Sequence, residues 1–283
     1  RYRFVTGVQT CALPISRQKG GVIKSALGYF EALSQHGYNL NFGDINDFDF
    51  DAEDYLNHIV ILSHQISIPS KHWSNLDNFV KRGGTLIVDG LTGFYNENAV
   101  CLMNNDFPLK NLFGGEVSEF KHVDKLFDLD VSGQKLKTHL WQGTIIPHTG
   151  TVISRNNNQP TGIINNYGKG KVFWIPSPLG LGAKISKEYE PLLSIFEQEF
   201  DNTGAFRFKK FHEGVLMKNI ETSQGVISVL INKNKEKQTI ELIGFEKYKP
   251  HRMLFQDKGG EIVSQNKVYI YPEETIVIDW RKK

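Results

Sequence analysis

The sequence predicts an α/β fold, a parallel sheet with helices on both faces, followed by a small all-β antiparallel sandwich. Two runs rich in β-branched and apolar residues, Ile59–Leu62 and Thr85–Val88, enclose a segment with helical periodicity. Such runs are typical of strands buried on both faces of a parallel sheet, and strand–helix–strand within about thirty residues is a βαβ unit. Beyond residue 204, strand-length segments follow one another with only turns between them, which predicts the all-β part.

The first predicted element is an amphipathic helix. Its apolar residues recur at helical spacing from Val22 to Leu33, and Gly37 provides a stop. The alternation of Tyr38, Leu40 and Phe42 with polar residues then predicts a short strand before the acidic stretch from Asp44 to Asp54.

The second predicted helix lies inside the βαβ unit. Ser70 follows Pro69 as an N-cap, and apolar residues from Trp73 to Val80 line one side of the helix. Gly83-Gly84 ends it before the strand at Thr85–Val88.

The rest of the first domain is predicted to contain short strands followed by a helix. The segment 116–153 has the pattern of mixed short strands, and a turn at 168–170 leads into the apolar strand Val172–Ile175. Apolar residues from Tyr189 to Phe200 predict a closing helix, and Asn202-Thr203-Gly204 predicts a hinge.

Five strand-length segments follow the hinge and predict the antiparallel sandwich. They are 226–231, 239–243, 252–255, 267–271 and 275–280. The expected division is therefore a first domain at 16–204 and a β-domain at 205–283.

Composition excludes several classes of protein. A 283-residue chain with 40% hydrophobic residues can bury a core, which excludes disorder. A formal net charge of +2 without a basic run favours neither nucleic acid nor a membrane surface as a partner. Two cysteines cannot build a disulfide scaffold or a cysteine zinc site. We expect no cofactor and a cytoplasmic location.

The first fifteen residues are expected not to belong to the natural protein. The segment Val5–Ile15 matches the translation of a common sequencing-adapter oligonucleotide. Such segments are excluded from fold reasoning. With Cys11 removed, Cys101 stands alone, and we expect the chain to be a C-terminal fragment of a longer protein.

The acidic stretch fails a test for a calcium loop. Asp47, Asp49 and Asp51 occupy the first, third and fifth positions, but Ala52 stands where glycine is needed and His58 where the bidentate glutamate is needed. A solvated turn with capping aspartates is the preferred interpretation. The nine histidines show no zinc-site spacing, so no metal is expected.

The second strand runs into Asp89-Gly90-Leu91-Thr92-Gly93, which resembles the elbow where related α/β folds carry a nucleophile. This elbow has neither cysteine nor serine, and Cys101 lies too far downstream. Thr92 needs a strong neighbouring base to act. The structural alternative, preferred here, is that the glycines allow backbone to pass close to a neighbouring strand or loop.

An ordered set of segments resembles a known family. The set begins with the helix end Phe79–Val88 and continues through Gly93–Asn98, Pro108–Gly114 and Val117–Glu119, with a tail at Pro272–Trp280. From about Gly20 to Phe200 the chain resembles the trimerisation domain of glycoside hydrolase family 42 β-galactosidases, a flavodoxin-like domain of the class I glutamine amidotransferase-like superfamily. The tail is similar to the small C-terminal β-domain of the same enzymes.

The resemblance implies a non-catalytic oligomerisation module of a carbohydrate-active enzyme, with a homotrimer and a missing N-terminal catalytic barrel as partners. A barrel of roughly 250 residues with paired carboxylates has no room here. No catalytic residue is therefore assigned, and the fragment itself is expected to be inactive. The candidate loop or interface residues are Asp89, Thr92, Gly93, Tyr95, Asn96, Glu97 and Trp141.

Two other functions remain open from the sequence. A standalone amidotransferase-like hydrolase or sugar-utilisation protein needs Thr92 or Cys101 in a pocket with a histidine. A carbohydrate-binding module needs an exposed aromatic strip on the β-domain. Tyr95 and Trp141 suit a subunit contact or a sugar-facing wall, although an ordinary core position is the preferred interpretation for each.

Overall fold

The computed structural model describes residues 19–103 and 106–283. The described chain divides into two compact units. The first comprises 19–29 and 42–203, and the second comprises 30–41 and 204–283. The expected adapter segment lies outside the described residues, and the domain division at 204 stays a prediction.

The first unit contains a seven-stranded mixed sheet. Its strands are β1 (Ile59–Ser63), β2 (Thr85–Asp89), β3 (Gly115–Val131), β4 (Gln134–Pro147), β5 (Thr151–Asn156), β6 (Gln159–Tyr167) and β7 (Gly170–Ile175). Their order across the sheet is β1-β2-β7-β6-β5-β3-β4. β1, β2 and β7 are parallel neighbours, and every other pair in the sheet is antiparallel. The prediction of a parallel sheet is thus confirmed for three strands.

Six α-helices accompany these strands in the described chain. They are α1 (Gly21–Ser34), α2 (Trp73–Lys81), α3 (Lys110–Phe113), α4 (Leu179–Ser186), α5 (Glu190–Ser194) and α6 (Glu197–Asn202). The predicted βαβ unit is present as β1, α2 and β2, with Ile59 opposite Thr85 and Ser63 opposite Asp89. None of the described helices is long and apolar enough to cross a membrane.

The main core of the first unit forms around β2 and β7. Leu86 and Val88 of β2 face a cluster that includes Phe79 of α2 and Trp174 of β7, while Ile87 on the other side of β2 is also buried. Side chains alternate across a strand, so both faces of β2 are covered. β1 is instead an edge strand, and Ile59, Val60 and Ile61 are only partly buried.

The second unit consists of two four-stranded antiparallel sheets. Their strands are β8 (Arg207–Phe208), β9 (Val215–Thr222), β10 (Gly225–Asn232), β11 (Gln238–Ile243), β12 (Tyr248–Gln256), β13 (Glu261–Ser264), β14 (Lys267–Ile270) and β15 (Thr275–Lys282). One sheet has the order β12-β15-β10-β9 and the other β13-β14-β11-β8. Buried residues of both sheets, such as Leu230 and Ile240, belong to one hydrophobic cluster.

Three local predictions are wrong. Tyr38–Phe42 is irregular, and the side chain of Asn39 pairs there with the backbone N–H and C=O of Asn219. The closing helix predicted from Tyr189 to Phe200 is two short helices, α5 and α6, because Phe196 leaves the helical region with φ −116° and packs edge to face on Phe173. Ser70 begins a 3₁₀ turn before α2 instead of capping α2 itself.

The segment predicted as mixed short strands contains a long hairpin. β3 has 17 residues and β4 has 14. The turn between them, Ser132-Gly133, has positive φ at both residues, 52° and 85°, as a two-residue type I′ hairpin requires.

Candidate functional site

A buried polar cluster lies at the carboxyl ends of the parallel strands β1 and β2. We define it as Tyr29, Ser63, His64, Asp89 and Thr92. All five side chains are at most 8% exposed. Ser63 and Asp89 are register partners at the ends of their strands, and the parallel pairing therefore brings the residues that follow each strand together.

Asp89 connects three elements through backbone amides. Its Oδ1 accepts the N–H of His64 at 2.7 Å, and its Oδ2 accepts the N–H of Gly180 in α4 at 2.9 Å. Burial raises the pKa of Asp89 to about 6, although these two hydrogen bonds oppose the rise. Burial, and to a lesser extent the same carboxyl group, raises the pKa of the Tyr29 phenol well above its usual value.

His64 is held in one tautomer by a backbone contact. Its Nδ1 lies 3.1 Å from the backbone nitrogen of Leu91 and accepts that N–H, so the ring proton is on Nε2. Burial lowers the pKa of His64 to about 4. Nε2 has no hydrogen-bond partner among the described residues. The imidazole is therefore neutral near pH 7.

Thr92 fixes the loop that follows β2. Its hydroxyl oxygen lies 2.9 Å from the carbonyl oxygen of Leu62 and 2.6 Å from that of Asp89. It also accepts the N–H of Gln65 at 2.9 Å. Within the described parts of the chain, no basic side chain contacts this hydroxyl. The arrangement supports the structural interpretation of the elbow over a nucleophile.

The loop after the elbow is held mainly by backbone contacts. Gly93 has φ 73° and donates to Gln65 O. Tyr95 donates its N–H to Ile66 O at 3.0 Å. The Oδ1 of Asn96 accepts the N–H groups of Asn98 and Val100.

Glu97 connects this loop to the start of the second predicted helix. Its carboxylate accepts the N–H of Ser70 at 2.8 Å and the Ser70 hydroxyl at 2.7 Å. These hydrogen bonds hold the pKa of Glu97 below its usual value. Glu97 therefore provides the N-terminal cap that the sequence assigned to Ser70.

Tyr95 and Trp141 lie in a second, aromatic group. We define the aromatic patch as Phe94, Tyr95, Phe120 and Trp141, which are partly buried around Ile66 and Leu91. The rings of Phe94 and Tyr95 are 4.9 Å apart, and those of Phe94 and Phe120 are 5.5 Å apart. Trp141 meets His122 edge to face at 5.1 Å, and its indole N–H has no partner among the described residues.

A cleft of about 510 Å³ adjoins the patch. Phe94 and Phe120 form part of its wall, together with Met103, and the acidic residues Asp106 and Glu119 also line it. Phe94 and Phe120 thus border the cleft, and Phe120 also packs against the main core.

The structure thus separates the seven predicted residues into three places. Asp89 and Thr92 belong to the buried polar cluster, Gly93, Asn96 and Glu97 to the following loop, and Tyr95 and Trp141 to the aromatic patch. Sequence reasoning missed the part of His64. Its position one residue beyond β1 was a usable signal, because it must meet the end of β2 in a parallel pair.

Metal or nucleophile chemistry finds little support in the described residues. No group of three or more histidine, cysteine, aspartate or glutamate residues is placed to hold a metal ion in 19–103 or 106–283. Cys101 is a free, partly buried cysteine.

Comparison with known protein families now adds to this geometry. The family model described as the β-galactosidase trimerisation domain matches residues 12–193, which is more than half of the chain. This chain belongs to the β-galactosidase trimerisation domain family. The match includes the buried polar cluster, the loop after it and the aromatic patch.

Individual relatives of this trimerisation domain agree. The β-galactosidase BgaA of Clostridium cellulovorans is 26% identical over 171 residues, covering 58% of this chain and 25% of BgaA. The structure of a catalytic mutant of Gan42B, a GH42 β-galactosidase of G. stearothermophilus, has a TM-score of 0.70 at 17% identity, covering 92% of this chain and 36% of that one. The β-galactosidase of Bacillus circulans sp. alkalophilus gives 0.70 at 15%, with 92% and 37% covered.

These coverages define the extent of the likeness. The chain spans a quarter of BgaA and a little over a third of the two solved relatives. At these identities the solved structures establish the fold, and the fold likeness includes the second unit beyond the family match at residue 193.

Proposed function

We propose that this chain is the non-catalytic oligomerisation and C-terminal region of a β-galactosidase-like glycoside hydrolase. The observation that carries the proposal is the trimerisation-domain match over residues 12–193. It is supported by the β-galactosidase relatives, of which the chain spans a quarter to a little over a third. In this proposal a catalytic barrel elsewhere in the parent enzyme acts on the carbohydrate, and this region joins the subunits of a homotrimer.

We also propose a finer description of the fold. The parallel strands β1, β2 and β7 with their helices support a flavodoxin-like, class I glutamine amidotransferase-like domain. The single core shared by the two four-stranded sheets supports a small β-sandwich in the second unit. The domain boundary near residue 204 belongs to the same proposal.

The aromatic patch is the proposed subunit contact. Aromatic residues are enriched at protein interfaces. In the patch, the ring of Phe94 lies between those of Tyr95 and Phe120, at centroid distances of 4.9 Å and 5.5 Å. Trp141 extends the patch on β4, although its indole N–H is itself buried. The support for a subunit contact is therefore the grouping of aromatic side chains beside the cleft.

The direct test is the mass of the purified chain in solution. Sedimentation equilibrium over a range of concentrations should give a species of about 97 kDa, three times the 32.2 kDa of one chain. The same sample should not hydrolyse a chromogenic β-galactoside. A strict monomer at high micromolar concentration would contradict trimerisation by this region alone.

Hydrolysis of the galactoside would contradict the non-catalytic assignment. A preparation of a variant that unfolds, assayed in parallel, controls for a contaminating enzyme. The two halves of the proposal are therefore tested separately.

The alternative of a standalone amidotransferase-like hydrolase has less support. It needs an activated Thr92 or Cys101, whereas the Thr92 hydroxyl contacts backbone groups of Leu62, Gln65 and Asp89. We propose neither nucleic acid nor a membrane as a partner.

A further inference from the structure

The second unit contains a cleft of about 520 Å³ that is unrelated to the aromatic patch. It lies between the segment before β9 and the connection from β10 to β11. Its lining residues are Lys210, Phe211, His212, Glu213, Asn234, Lys235, Glu236 and Gln238. The volume is within the range of about 300–1,000 Å³ that is typical of small-molecule sites.

Phe211 gives the cleft an aromatic wall that the core does not use. Its side chain is only partly buried, and it does not belong to the hydrophobic cluster of this unit. Neighbouring Phe208, by contrast, is fully buried in that cluster. Among the described residues the ring of Phe211 makes no ring-to-ring contact, and its partly exposed side chain lines the cleft.

His212 and Gln238 supply neutral polar groups beside this ring. His212 is 7% exposed, and its ring meets Phe208 edge to face at 5.6 Å. Burial and the charge of Lys210 lower the pKa of His212, while a hydrogen bond with Gln238 opposes the shift. The imidazole is therefore neutral near pH 7, with one donor and one acceptor nitrogen.

Asn234 holds the two sides of the cleft together. Its Nδ2 donates to the carbonyl of Glu213 at 2.6 Å, and its backbone N–H donates to Asn232. The two lining segments are thus fixed relative to each other before any ligand binds, which lowers the entropic cost of binding.

Four charged side chains of balanced sign line the cleft. Lys210 and Lys235 are basic, Glu213 and Glu236 are acidic, and all four side chains are exposed. None of them forms an ion pair with another residue of the described chain. A balanced set of this kind offers hydrogen-bond donors and acceptors without a net charge to attract an ion.

We propose that this cleft binds a neutral saccharide. An apolar sugar face packs on Phe211, and the hydroxyl groups bond to His212, Gln238 and the charged side chains. Aromatic surface beside polar and charged side chains suits a ligand that is apolar on one face and rich in hydroxyls at its edge. The residues that line this cleft all lie beyond the trimerisation-domain match at 12–193.

The test measures the binding of two sugars to the full chain and to two variants, each with one phenylalanine replaced by alanine. Calorimetry and saturation-transfer NMR should detect galactose and give weaker binding for galacturonate, its anionic counterpart. Phe211→Ala should weaken galactose binding by about tenfold or more, because the apolar contact is lost. Phe255→Ala is the matched control, since Phe255 is 51% exposed in the same unit and lies outside the cleft. It should leave the affinity unchanged.

Several outcomes would overturn the proposal. These are no binding of galactose, equal binding by wild type and Phe211→Ala, or tighter binding of galacturonate than of galactose. An equal loss in both phenylalanine variants would also overturn it. Glu236→Gln, at an exposed position that does not affect the core, provides a second variant and should weaken binding severalfold. Unchanged thermal unfolding of each variant shows that the change is local.

Discussion

At the scale of single residues, the turn after β2 depends on how closely Gly90 approaches His64. Gly90 has φ 63°, and a Cβ atom at this position would lie 2.3 Å from Nδ1 of His64. That nitrogen also accepts the N–H of Leu91. The glycine therefore allows the carboxyl ends of two parallel strands to meet around a buried imidazole.

Gly90→Ala should destabilise the protein far more than the same change at Gly133. At Gly133, φ is 85° and nothing lies within 4 Å of the added Cβ, so only the left-handed backbone costs energy, about 1–2 kcal/mol. At Gly90 the same backbone cost is joined by overpacking of about 1–3 kcal/mol. Urea denaturation of both variants measures the difference. An equal loss of stability in the two variants would show that the clash with His64 is relieved at no cost in free energy.

Asp89 and His64 should make the free energy of unfolding depend on pH in opposite directions, and the two effects cancel in the wild type. The folded pKa of Asp89 is raised to about 6, so its contribution is present below about pH 4 and is lost as pH rises through 6. The folded pKa of His64 is lowered to about 4, so its contribution is present above about pH 6.5 and is lost as pH falls through 4.

Replacing either side chain should reveal the pH dependence of stability that the other contributes. Relative to wild type, Asp89→Asn should be less stable at pH 4.5 than at pH 6.5, and His64→Gln should show the opposite trend. The full effect for each group is about 3 kcal/mol, at 1.36 kcal/mol per pKa unit. Urea midpoints at the two pH values measure it, and parallel trends for both variants would contradict the assignment.

At the scale of elements, two helices cross at glycines. A Cβ at Gly28 of α1 would lie 1.9 Å from the carbonyl oxygen of Gly180 in α4, and a Cβ at Gly180 would lie 2.2 Å from that of Ser25. Ser25 and Ser63 also share a hydrogen bond of 2.7 Å that joins α1 to β1. This backbone approach holds α4 where its Gly180 amide reaches Asp89.

Gly28→Ala should therefore destabilise the first unit despite the higher helix propensity of alanine. Propensity alone would favour alanine by about 1 kcal/mol, but both contacting atoms belong to backbone and the helices must separate. We expect a net loss of at least about 2 kcal/mol. Gly43→Ala is the control, because its Cβ would meet nothing within 4 Å. Stability equal to or above wild type in Gly28→Ala would contradict the crossing.

Elements defined by local pattern were predictable, whereas those defined by a distant partner were not. The β1–α2–β2 unit follows from apolar periodicity within thirty residues. By contrast, Tyr38–Phe42 alternates like a strand, yet the side chain of Asn39 pairs with Asn219, 180 residues away. Phe196 breaks the last predicted helix to pack against Phe173 on β7.

At the scale of the whole molecule, the proposed trimer makes a specific prediction for Trp141. If the aromatic patch is the subunit contact, Trp141→Ala should raise the dissociation constant of the trimer by about tenfold or more, since truncated aromatic anchors cost over about 1.4 kcal/mol. Ile146→Ala is the control, because Ile146 lies on the same strand β4 and is 47% exposed. Sedimentation measures both.

An odd spacing of five residues sets Trp141 and Ile146 on opposite faces of β4. The two variants therefore remove apolar area from the same strand but from different surfaces. If both variants weakened the trimer, or if neither did, the aromatic patch would not be the subunit contact. Unchanged circular dichroism in Trp141→Ala separates loss of assembly from loss of fold.

By itself the sequence determined the α/β and all-β parts, the βαβ unit and the resemblance to the trimerisation domain, because each depends on patterns among near neighbours. Only the tertiary structure decided that Asp89 and His64 are buried together, that Glu97 caps the turn at Ser70, and that Phe211 lines a cleft away from the core. The physical reason is that burial, and the pKa and contacts that follow from it, depend on residues brought together from distant parts of the chain.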